Sequence, residues 1–273
     1  MTNKPNYKRT IIRTIKILLI VYALGGILLW HFQEKLLLHP KSVPATFSYD
    51  FKLPHREWLI PVDENDTLHI VQFHPAANIK RKGAVLFFHG NRDNIKRYLR
   101  YAIPLTNKGY DVWMADYPGF GKTTGRFTEQ RVYQDARIVY QLAEKEFAAD
   151  SIIIYGKSLG TGIASELASV KKCRRLILET PYYSIPQLAR DHFPIYPTNR
   201  MSRYRFPTYE YLSYIESPVT IFHGTDDGVI PYKHAARLKN LLKNKDEFVT
   251  VPDAIHNNLL DFQLFRDKLN GLL

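Results

Sequence analysis

The chain has 273 residues, of which 45% are hydrophobic and 23% charged, and its formal net charge is +12. This length suits one large α/β domain with a short additional segment, and the composition excludes a disordered or fibrous protein. The single cysteine, Cys173, excludes an intramolecular disulfide. The sequence contains no nucleic-acid, nucleotide, flavin or metal-ligand motif beside its basic charge. We therefore expect no nucleic-acid partner, no cofactor and no bound metal.

The amino-terminal segment is basic and then apolar. Residues 11–32 supply the roughly 20 residues that a bilayer core requires, if the basic side chains near the start extend to the headgroups. A cleaved signal peptide would need small residues at a cleavage site, and a buried core helix fits the basic flank poorly. We therefore predict a cytoplasmic basic tail and an uncleaved transmembrane anchor over residues 1–33, with the globular body outside the cytoplasm. The basic residues before position 17 are Lys4, Lys8, Arg9, Arg13 and Lys16.

After a linker at 34–50, residues 51–273 are predicted to form one domain in which short apolar strands alternate with helices. This alternation predicts βαβ crossovers and a mostly parallel central sheet flanked by helices. Functional residues are then expected at the carboxyl ends of the strands. Strands are predicted at 57–60, 68–73, 84–88, 111–115, 151–155, 176–178, 219–222 and 248–251. Helices are predicted at 132–147, with Thr128 as amino-terminal cap, and near 163–170, 238–242 and 259–273.

The strand at 151–155 runs into a G-x-S-x-G sequence, Gly156-Lys157-Ser158-Leu159-Gly160. A strand that turns at once into a helix forces the central serine into a strained conformation, and side chains at positions 156 and 160 would collide with that turn. The turn also exposes the Ser158 hydroxyl at the positive end of the next helix. Ser158 is therefore the candidate nucleophile, and a tight turn with an inert serine is the alternative.

A serine hydroxyl needs a base to take its proton, and the base needs a carboxylate to orient it. The expected chain order around such a turn is Ser, then Asp or Glu, then His. Asp226 and Asp227 follow the strand at 219–222, and His256 follows the strand at 248–251. His256 is thus the candidate base, whereas spacing alone leaves the choice between the two aspartates open.

An oxyanion hole requires donors aimed at the charge that develops on a tetrahedral intermediate. The predicted donors are the backbone N–H groups of Leu159, directly after the nucleophile, and of Asn91, in the loop after the strand at 84–88. His89 begins that loop. Because His89 precedes the serine and ends a strand, we interpret it as bracing the loop and not as the base.

Five ordered motifs resemble α/β hydrolases, and more narrowly the BEM46-like group, which is often tethered by an amino-terminal membrane segment. The resemblance covers residues 51–273 and implies the α/β-hydrolase fold. It places the acid at Asp227, the fifth residue of an HGxxD pattern, and the base at His256. Ile255 and Asn258 replace a Gly and an acid common beside that histidine, and neither change removes a catalytic group. The motifs are HGN at 89–91, DYPGFGKTTG at 116–125, GKSLGTG at 156–162, HGTDDGVIP at 223–231 and IHNN at 255–258.

The resemblance implies hydrolysis of an acyl ester or thioester through an acyl-enzyme intermediate. Members of the resembled family include esterases, thioesterases acting on acylated proteins, lipases and peptidases, so the family does not fix the substrate. The substrate is expected to be an acylated small molecule, a lipid or an acylated protein. A peptidase with the same triad and a non-catalytic membrane-tethered scaffold remain alternatives.

A short segment near 181–215 lies where these hydrolases carry a cap. Its Tyr and Arg residues suggest substrate contacts at Tyr182 and Arg203, and Tyr117 at another strand end is a further candidate. The alternatives are a solvated surface for the arginines and a loop role for Tyr117. A small cap predicts an open site suited to an acyl group on a larger carrier or to lipid near the membrane.

Overall fold

The computed structural model describes residues 7–273, which contain nine α-helices and ten strands. The helices are α1 (Tyr7–Leu37), α2 (Ile95–Asn107), α3 (Glu129–Ala143), α4 (Gly160–Val170), α5 (Ile185–His192), α6 (Thr198–Met201), α7 (Thr208–Leu212), α8 (Tyr232–Lys239) and α9 (Gln263–Leu272). The strands are β1 (His39–Pro40), β2 (His55–Pro61), β3 (Thr67–Phe73), β4 (Gly83–Phe88), β5 (Arg92–Asp93), β6 (Tyr110–Ala115), β7 (Ile152–Lys157), β8 (Arg175–Glu179), β9 (Val219–Gly224) and β10 (Glu247–Val251).

Eight strands form one sheet in the order β10-β9-β8-β7-β4-β6-β3-β2. Neighbours from β10 to β6 are parallel, whereas β2 and β3 form an antiparallel extension on the β6 edge. The predicted mostly parallel sheet flanked by helices is therefore confirmed. The pairing of β1 with β5 was not predicted, because two-residue strands leave no periodic pattern.

Side chains that alternate along the central strands fill two apolar cores, one on each face of the sheet. Leu86 and Ile154 contribute to the core that α3 and α4 cover, whereas Val85 and Ile153 contribute to the core that α2 and α9 cover. Covering both faces buries the central strands completely, which explains their continuous apolar sequences.

Two helix ends show how local sequence sets the elements. Thr128 caps α3 as predicted, and its Oγ1 accepts a hydrogen bond from the backbone N–H of Arg131 at 3.1 Å. The last helix begins at Gln263 and not at residue 259, because a 3₁₀ turn at Leu259–Asp261 is followed by extended backbone at Phe262.

Helix α1 is long and apolar enough to cross a membrane, with a mean hydropathy of 2.1 over an 18-residue window. None of its residues is buried, and its apolar side chains remain exposed along its length. The helix continues to Leu37, beyond the predicted boundary at residue 33. Lys4, part of the predicted basic tail, lies outside the described residues.

The predicted linker at 34–50 packs against the body of the protein. Leu38 and Tyr49 are buried, and so is Phe51 just beyond it. β1 lies beside β5, and Ser42 forms a further parallel bridge with Gly121. The segment after α1 thus follows the edge of the candidate site and is not a free tether.

Candidate active site

Ser158 lies at the turn between β7 and α4. Its φ is +51°, in the left-handed region that non-glycine residues rarely adopt, and its backbone N–H donates to the carbonyl oxygen of Glu179 at 2.9 Å. Such strain is characteristic of functional positions that the surrounding structure holds in place. The turn therefore has the geometry that the G-x-S-x-G sequence predicts.

The two glycines of this turn lie against neighbouring backbone. A Cβ at Gly156 would lie 2.5 Å from the carbonyl oxygen of Gly160, and a Cβ at Gly160 would collide with the carbonyl group of Phe88 at the end of β4. Only glycine allows α4 to start this close to the sheet.

We expect Gly160→Ala to lower the free energy of unfolding by about 2 kcal/mol. The added Cβ would overlap the backbone of Phe88, and no flexible side chain there can move to relieve the overlap. Urea unfolding in detergent, followed by circular dichroism, measures this change. The control is Gly271→Ala in α9, where an added Cβ meets nothing within 4 Å. Equal stability of the two variants would contradict the close packing.

His256 joins Ser158 to Asp227. Its Nε2 lies 2.9 Å from the Ser158 Oγ, and its Nδ1 lies 2.8 Å from the Asp227 Oδ2. An ionised carboxylate only accepts hydrogen bonds, so Nδ1 carries the proton and Nε2 is free to accept one from the serine. All three side chains are buried, which limits competition from water.

The structure separates the two adjacent aspartates. The second carboxylate oxygen of Asp227 accepts from the N–H groups of Val229 and Ile230 at 2.9 and 2.8 Å. Asp226 is exposed, and its Oδ1 accepts from the hydroxyl of Thr225. Only Asp227 therefore faces the histidine.

The environment of Asp227 favours its charged form. Burial by itself would raise the pKa of this carboxyl, but the hydrogen bond with His256 and the N–H of Ile230 hold the pKa below its ordinary value of 3.8. Asp227 therefore stays ionised at neutral pH and can stabilise an imidazolium at His256.

The two predicted oxyanion donors belong to the start of α4 and to the loop after β4. Leu159 is the amino-terminal cap residue of α4, where backbone N–H groups point outward with the positive end of the helix dipole. Asn91 follows Gly90, whose position is so near the nucleophile that a Cβ there would lie 3.6 Å from the Ser158 Cβ. Neither N–H donates to another residue within the described part of the chain.

The chain after α1 holds the Asn91 loop in place. The Asn91 side-chain amide donates to the carbonyl oxygen of Leu37 at 2.6 Å, and the Asn91 carbonyl accepts from the N–H of His39 at 2.9 Å. Sequence analysis missed this link, since the residues are more than 50 positions apart. The end of α1 is thus directly bonded to a predicted oxyanion-hole residue.

His89 and Asp116 lie buried beneath the same loop. The His89 Nε2 is 3.5 Å from the Asp116 Oδ1, and that oxygen also accepts from the N–H of Ile95 at the start of α2. The His89 Nδ1 lies 2.7 Å from the carbonyl oxygen of Gly90. This arrangement agrees with the interpretation of His89 as a loop brace.

The three residues predicted to contact the substrate each have a partner within the protein. The hydroxyl of Tyr117 donates to the carbonyl oxygen of His89 at 2.7 Å, and that of Tyr182 donates to the carbonyl oxygen of Leu159 at 3.1 Å. Both rings are buried, and their hydroxyls support the loops that carry His89 and Leu159. Arg203 is exposed, and its guanidinium lies over the ring of Trp30 in α1, 5.2 Å from the centroid.

A buried ion pair lies next to the loop of His256, and the sequence did not indicate it. The Lys157 Nζ lies 2.5 Å from the Glu179 Oε1 and 3.2 Å from the carbonyl oxygen of His256. The hydroxyls of Tyr101 and Tyr155 donate to the same carboxylate. Burial and Glu179 raise the pKa of both phenols, which keeps them as donors. The lysine before the nucleophile thus connects β8 to the histidine loop.

We expect Lys157→Met to lower the free energy of unfolding by about 3–5 kcal/mol, because it leaves the Glu179 charge buried without its cation. Chemical denaturation in detergent measures the loss. Lys172→Met is the matched control, since Lys172 is exposed. A Lys157→Met protein as stable as the control would show that the pair does not matter to the fold.

A cavity of about 230 Å³ adjoins this constellation. Its walls come from the carboxyl-terminal half of α1, from α5 and α6, and from the loops that carry Asn91 and Val229. The backbone N–H of Val229 donates to Asp227, so the cavity borders both the loop of Asp227 and the loop of Asn91. No acidic side chain is among the described residues that line it, and most of its surface is apolar.

No group of three or more His, Cys, Asp or Glu side chains within residues 7–273 is placed to hold a metal ion.

Comparisons with known proteins agree with this architecture. Residues 79–213 match the family described as serine aminopeptidase, S33. An uncharacterised protein of Mycobacterium tuberculosis is 26% identical over 249 residues, which cover 90% of this chain and 88% of that protein. A putative α/β hydrolase of Acanthamoeba polyphaga mimivirus is 29% identical over 236 residues, covering 84% and 88% of the two chains.

Solved structures show the same fold at lower sequence identity. An esterase of Pyrococcus furiosus superposes with a TM-score of 0.66 at 16% identity, covering 87% of this chain and 96% of the esterase. Together with the sequence relatives, this similarity supports a hydrolase. The order of the strands, the turn at Ser158 and these comparisons establish that the chain has the α/β-hydrolase fold.

Proposed function

We propose that this chain is a membrane-anchored serine hydrolase that cleaves an acyl ester or thioester, with Ser158, His256 and Asp227 as its catalytic triad. The observation that carries the proposal is the continuous hydrogen-bonded series from the Ser158 Oγ through His256 to Asp227, at 2.9 and 2.8 Å. Each residue follows a different strand of the parallel sheet, at the edge where such folds place their sites.

In the proposed reaction, the Ser158 Oγ attacks the substrate carbonyl while its proton passes to the His256 Nε2. The N–H groups of Leu159 and Asn91 stabilise the oxyanion of the tetrahedral intermediate. His256 then gives its proton to the leaving alcohol or thiol, and an acyl ester with Ser158 remains. A water molecule, deprotonated by His256, attacks that ester, and the carboxylic acid leaves as Ser158 recovers its proton.

The adjoining cavity favours an acyl substrate over a peptide. The family name favours a serine aminopeptidase as the second candidate. An aminopeptidase must bind a protonated α-amino group, and a carboxylate is the usual partner for such a charge. The described lining of the cavity is mostly apolar and has no acidic residue. An acyl chain matches that surface better than a charged amino terminus does.

The membrane anchor is also part of the proposal. The length and hydropathy of α1 support a span, and so does its row of exposed apolar side chains, which a water-soluble protein would rarely leave uncovered. The resemblance to BEM46-like proteins supports the same assignment. The basic residues before the span favour an amino terminus in the cytoplasm and a hydrolase domain outside it. Within that domain, we assign residues 181–215 as the cap.

A substrate panel tests the acyl specificity. We expect the purified full-length protein in detergent to hydrolyse 4-nitrophenyl butyrate and butyryl thiocholine at least about tenfold more efficiently, in kcat/KM, than leucine 4-nitroanilide. Preference for the anilide would assign the triad to a peptidase. A folded protein that cleaves none of the three would favour the non-catalytic scaffold.

A further inference from the structure

We propose that helix α1 is not only an anchor but one wall of the acyl-binding cavity, and that the cavity receives the fatty acyl chain of a membrane lipid ester directly from the bilayer. This inference rests on the proposed function. It assigns a membrane lipid ester as the substrate class and the bilayer as the route by which the acyl chain enters. It also implies that part of the cap lies within the membrane.

The first observation is that α1 forms specific contacts with the cap along about three turns, from Tyr22 to Gln33. The hydroxyl of Tyr22 donates to the carbonyl oxygen of Ile195, the hydroxyl of Tyr196 donates to the carbonyl oxygen of Tyr22, and the two tyrosine rings stack with centroids 4.8 Å apart. Nearer the end of the helix, the Gln33 side chain accepts from the N–H of Arg203 at 2.7 Å and donates to the carbonyl oxygen of Met201.

The glycine pair in α1 explains how the cap approaches so closely. A Cβ at Gly25 would collide with the hydroxyl of Tyr196, and a Cβ at Gly26 would lie 3.4 Å from the same ring. Small residues in a membrane helix commonly mark a face that packs against another element. The pair Gly25-Gly26 therefore makes room for the cap.

The second observation concerns the depth of this contact. Trp30 has the Arg203 guanidinium over its ring, and such a pair of an aromatic and a basic side chain is typical of a membrane–water interface. Tyr22 lies eight residues earlier in the helix, which is about 12 Å deeper at the rise of an α-helix. The cap segment 193–197 that contacts Tyr22 has the sequence Phe-Pro-Ile-Tyr-Pro and exposes Ile195. A segment with no charge and an exposed apolar side chain at that depth presents an apolar surface to the acyl chains.

The third observation is the direction of the cavity. One end is lined by Leu37, Asn91 and Val229, beside the proposed triad and oxyanion hole. The other end is lined by Leu29 and Tyr196, on the bilayer side of Trp30. The cavity therefore runs from the loops that carry Asn91 and Val229, on the water side of Trp30, toward the hydrocarbon. A membrane lipid has the same polarity, since its ester bonds lie at the interface and its chains extend into the core.

Two neighbouring residues of α1 allow a matched test. Leu29 lines the cavity, whereas the adjacent Leu28 is exposed and does not line it. The full-length wild type, Leu29→Trp and Leu28→Trp are reconstituted in phosphatidylcholine vesicles. For each protein, the ratio of kcat/KM for 1-oleoylglycerol to that for 1-acetylglycerol is measured by release of free acid.

We expect Leu29→Trp to lower this ratio by at least about tenfold, because the indole occupies space for several methylenes of the chain. Leu28→Trp should keep the ratio within about twofold of wild type, as for a surface change. Ala189→Phe, which fills the cavity from the cap side, is expected to act like Leu29→Trp. Thermal unfolding of each variant shows whether the protein has folded.

An unchanged ratio in folded Leu29→Trp and Ala189→Phe would overturn the inference while leaving the proposed hydrolase intact. Wild type that cleaves a vesicle-bound S-palmitoyl peptide but not 1-oleoylglycerol would overturn the lipid assignment. Wild type that cleaves no ester or thioester and does not react with a fluorophosphonate would instead reject the proposed function itself.

Discussion

Ser158→Ala is expected to reduce kcat for ester hydrolysis by about 10⁵- to 10⁶-fold, the scale seen when a triad nucleophile is removed from a serine hydrolase. The physical reason is that the Ser158 Oγ is the atom that forms the acyl-enzyme, and no second hydroxyl within residues 7–273 is hydrogen-bonded to the His256 Nε2. Residual activity would come from binding and from the oxyanion donors acting on water. Initial rates with 4-nitrophenyl butyrate measure the effect.

The matched control for this change is Ser169→Ala, at the other end of α4. The Ser169 hydroxyl donates to the carbonyl oxygen of Glu166 and lies far along the helix from the turn. We expect its activity to stay within about twofold of wild type. Comparable losses in both variants would point to a general defect of α4 and not to loss of a nucleophile.

The second large effect is expected at Asp227. Asp227→Asn should lower kcat by about 10⁴-fold, because an amide at this position can donate to Nδ1 and so favour the wrong tautomer of His256. Asp226→Asn is the control, since Asp226 is exposed and makes its side-chain contact with Thr225. Its activity should remain within about twofold of wild type. The same kinetic assay applies to both variants.

These adjacent variants also test the assignment of the acid. If Asp226→Asn lost activity and Asp227→Asn kept it, the hydrogen-bonded series would have been assigned to the wrong aspartate. Similar stability of the two proteins, measured by thermal unfolding, is needed to exclude a folding defect as the cause.

The sheet was predictable because its central strands are buried on both faces. Runs such as Ala84–Phe88 and Ile152–Tyr155 are continuously apolar and separated by helical periods, which is enough to predict a parallel sheet. The turn at Ser158 was predictable because its glycines are required by close backbone contacts. His256 was predictable as the candidate base because it follows the strand that ends at Val251.

The choice between Asp226 and Asp227 needed more than spacing. Both residues follow β9, and their difference arises from the turn beyond it, where the N–H groups of Val229 and Ile230 hold one carboxylate inward. The resemblance to known hydrolases indicated Asp227, and the geometry places the same residue against His256. Its catalytic role remains a prediction until the variants are measured.

Contacts between distant parts of the chain could not be predicted. Lys157 has no marked context in the sequence, yet it binds Glu179 and the carbonyl of His256, 22 and 99 residues away. Tyr117 and Tyr182 were predicted as substrate contacts, and nothing in the sequence indicated that their hydroxyls donate to the carbonyl oxygens of His89 and Leu159. The side on which a strand-end residue points depends on packing that the local sequence does not encode.

The role of α1 was underestimated for a similar reason. Its composition predicts a membrane span but contains no information on what lies beside it. The structure places Gly25 and Gly26 against the cap and bonds Leu37 to Asn91. An anchor treated as a tether alone would miss both contacts, and with them the proposed entry of the acyl chain.

The central claim, an activated serine at position 158, is tested most directly by fluorophosphonate labelling of the membrane-embedded full-length protein, with the modified peptide located by mass spectrometry. The account predicts one adduct, on Ser158, whose formation is lost in His256→Ala because the base is gone. A folded wild-type protein with no adduct, or with its adduct on another serine, would contradict it.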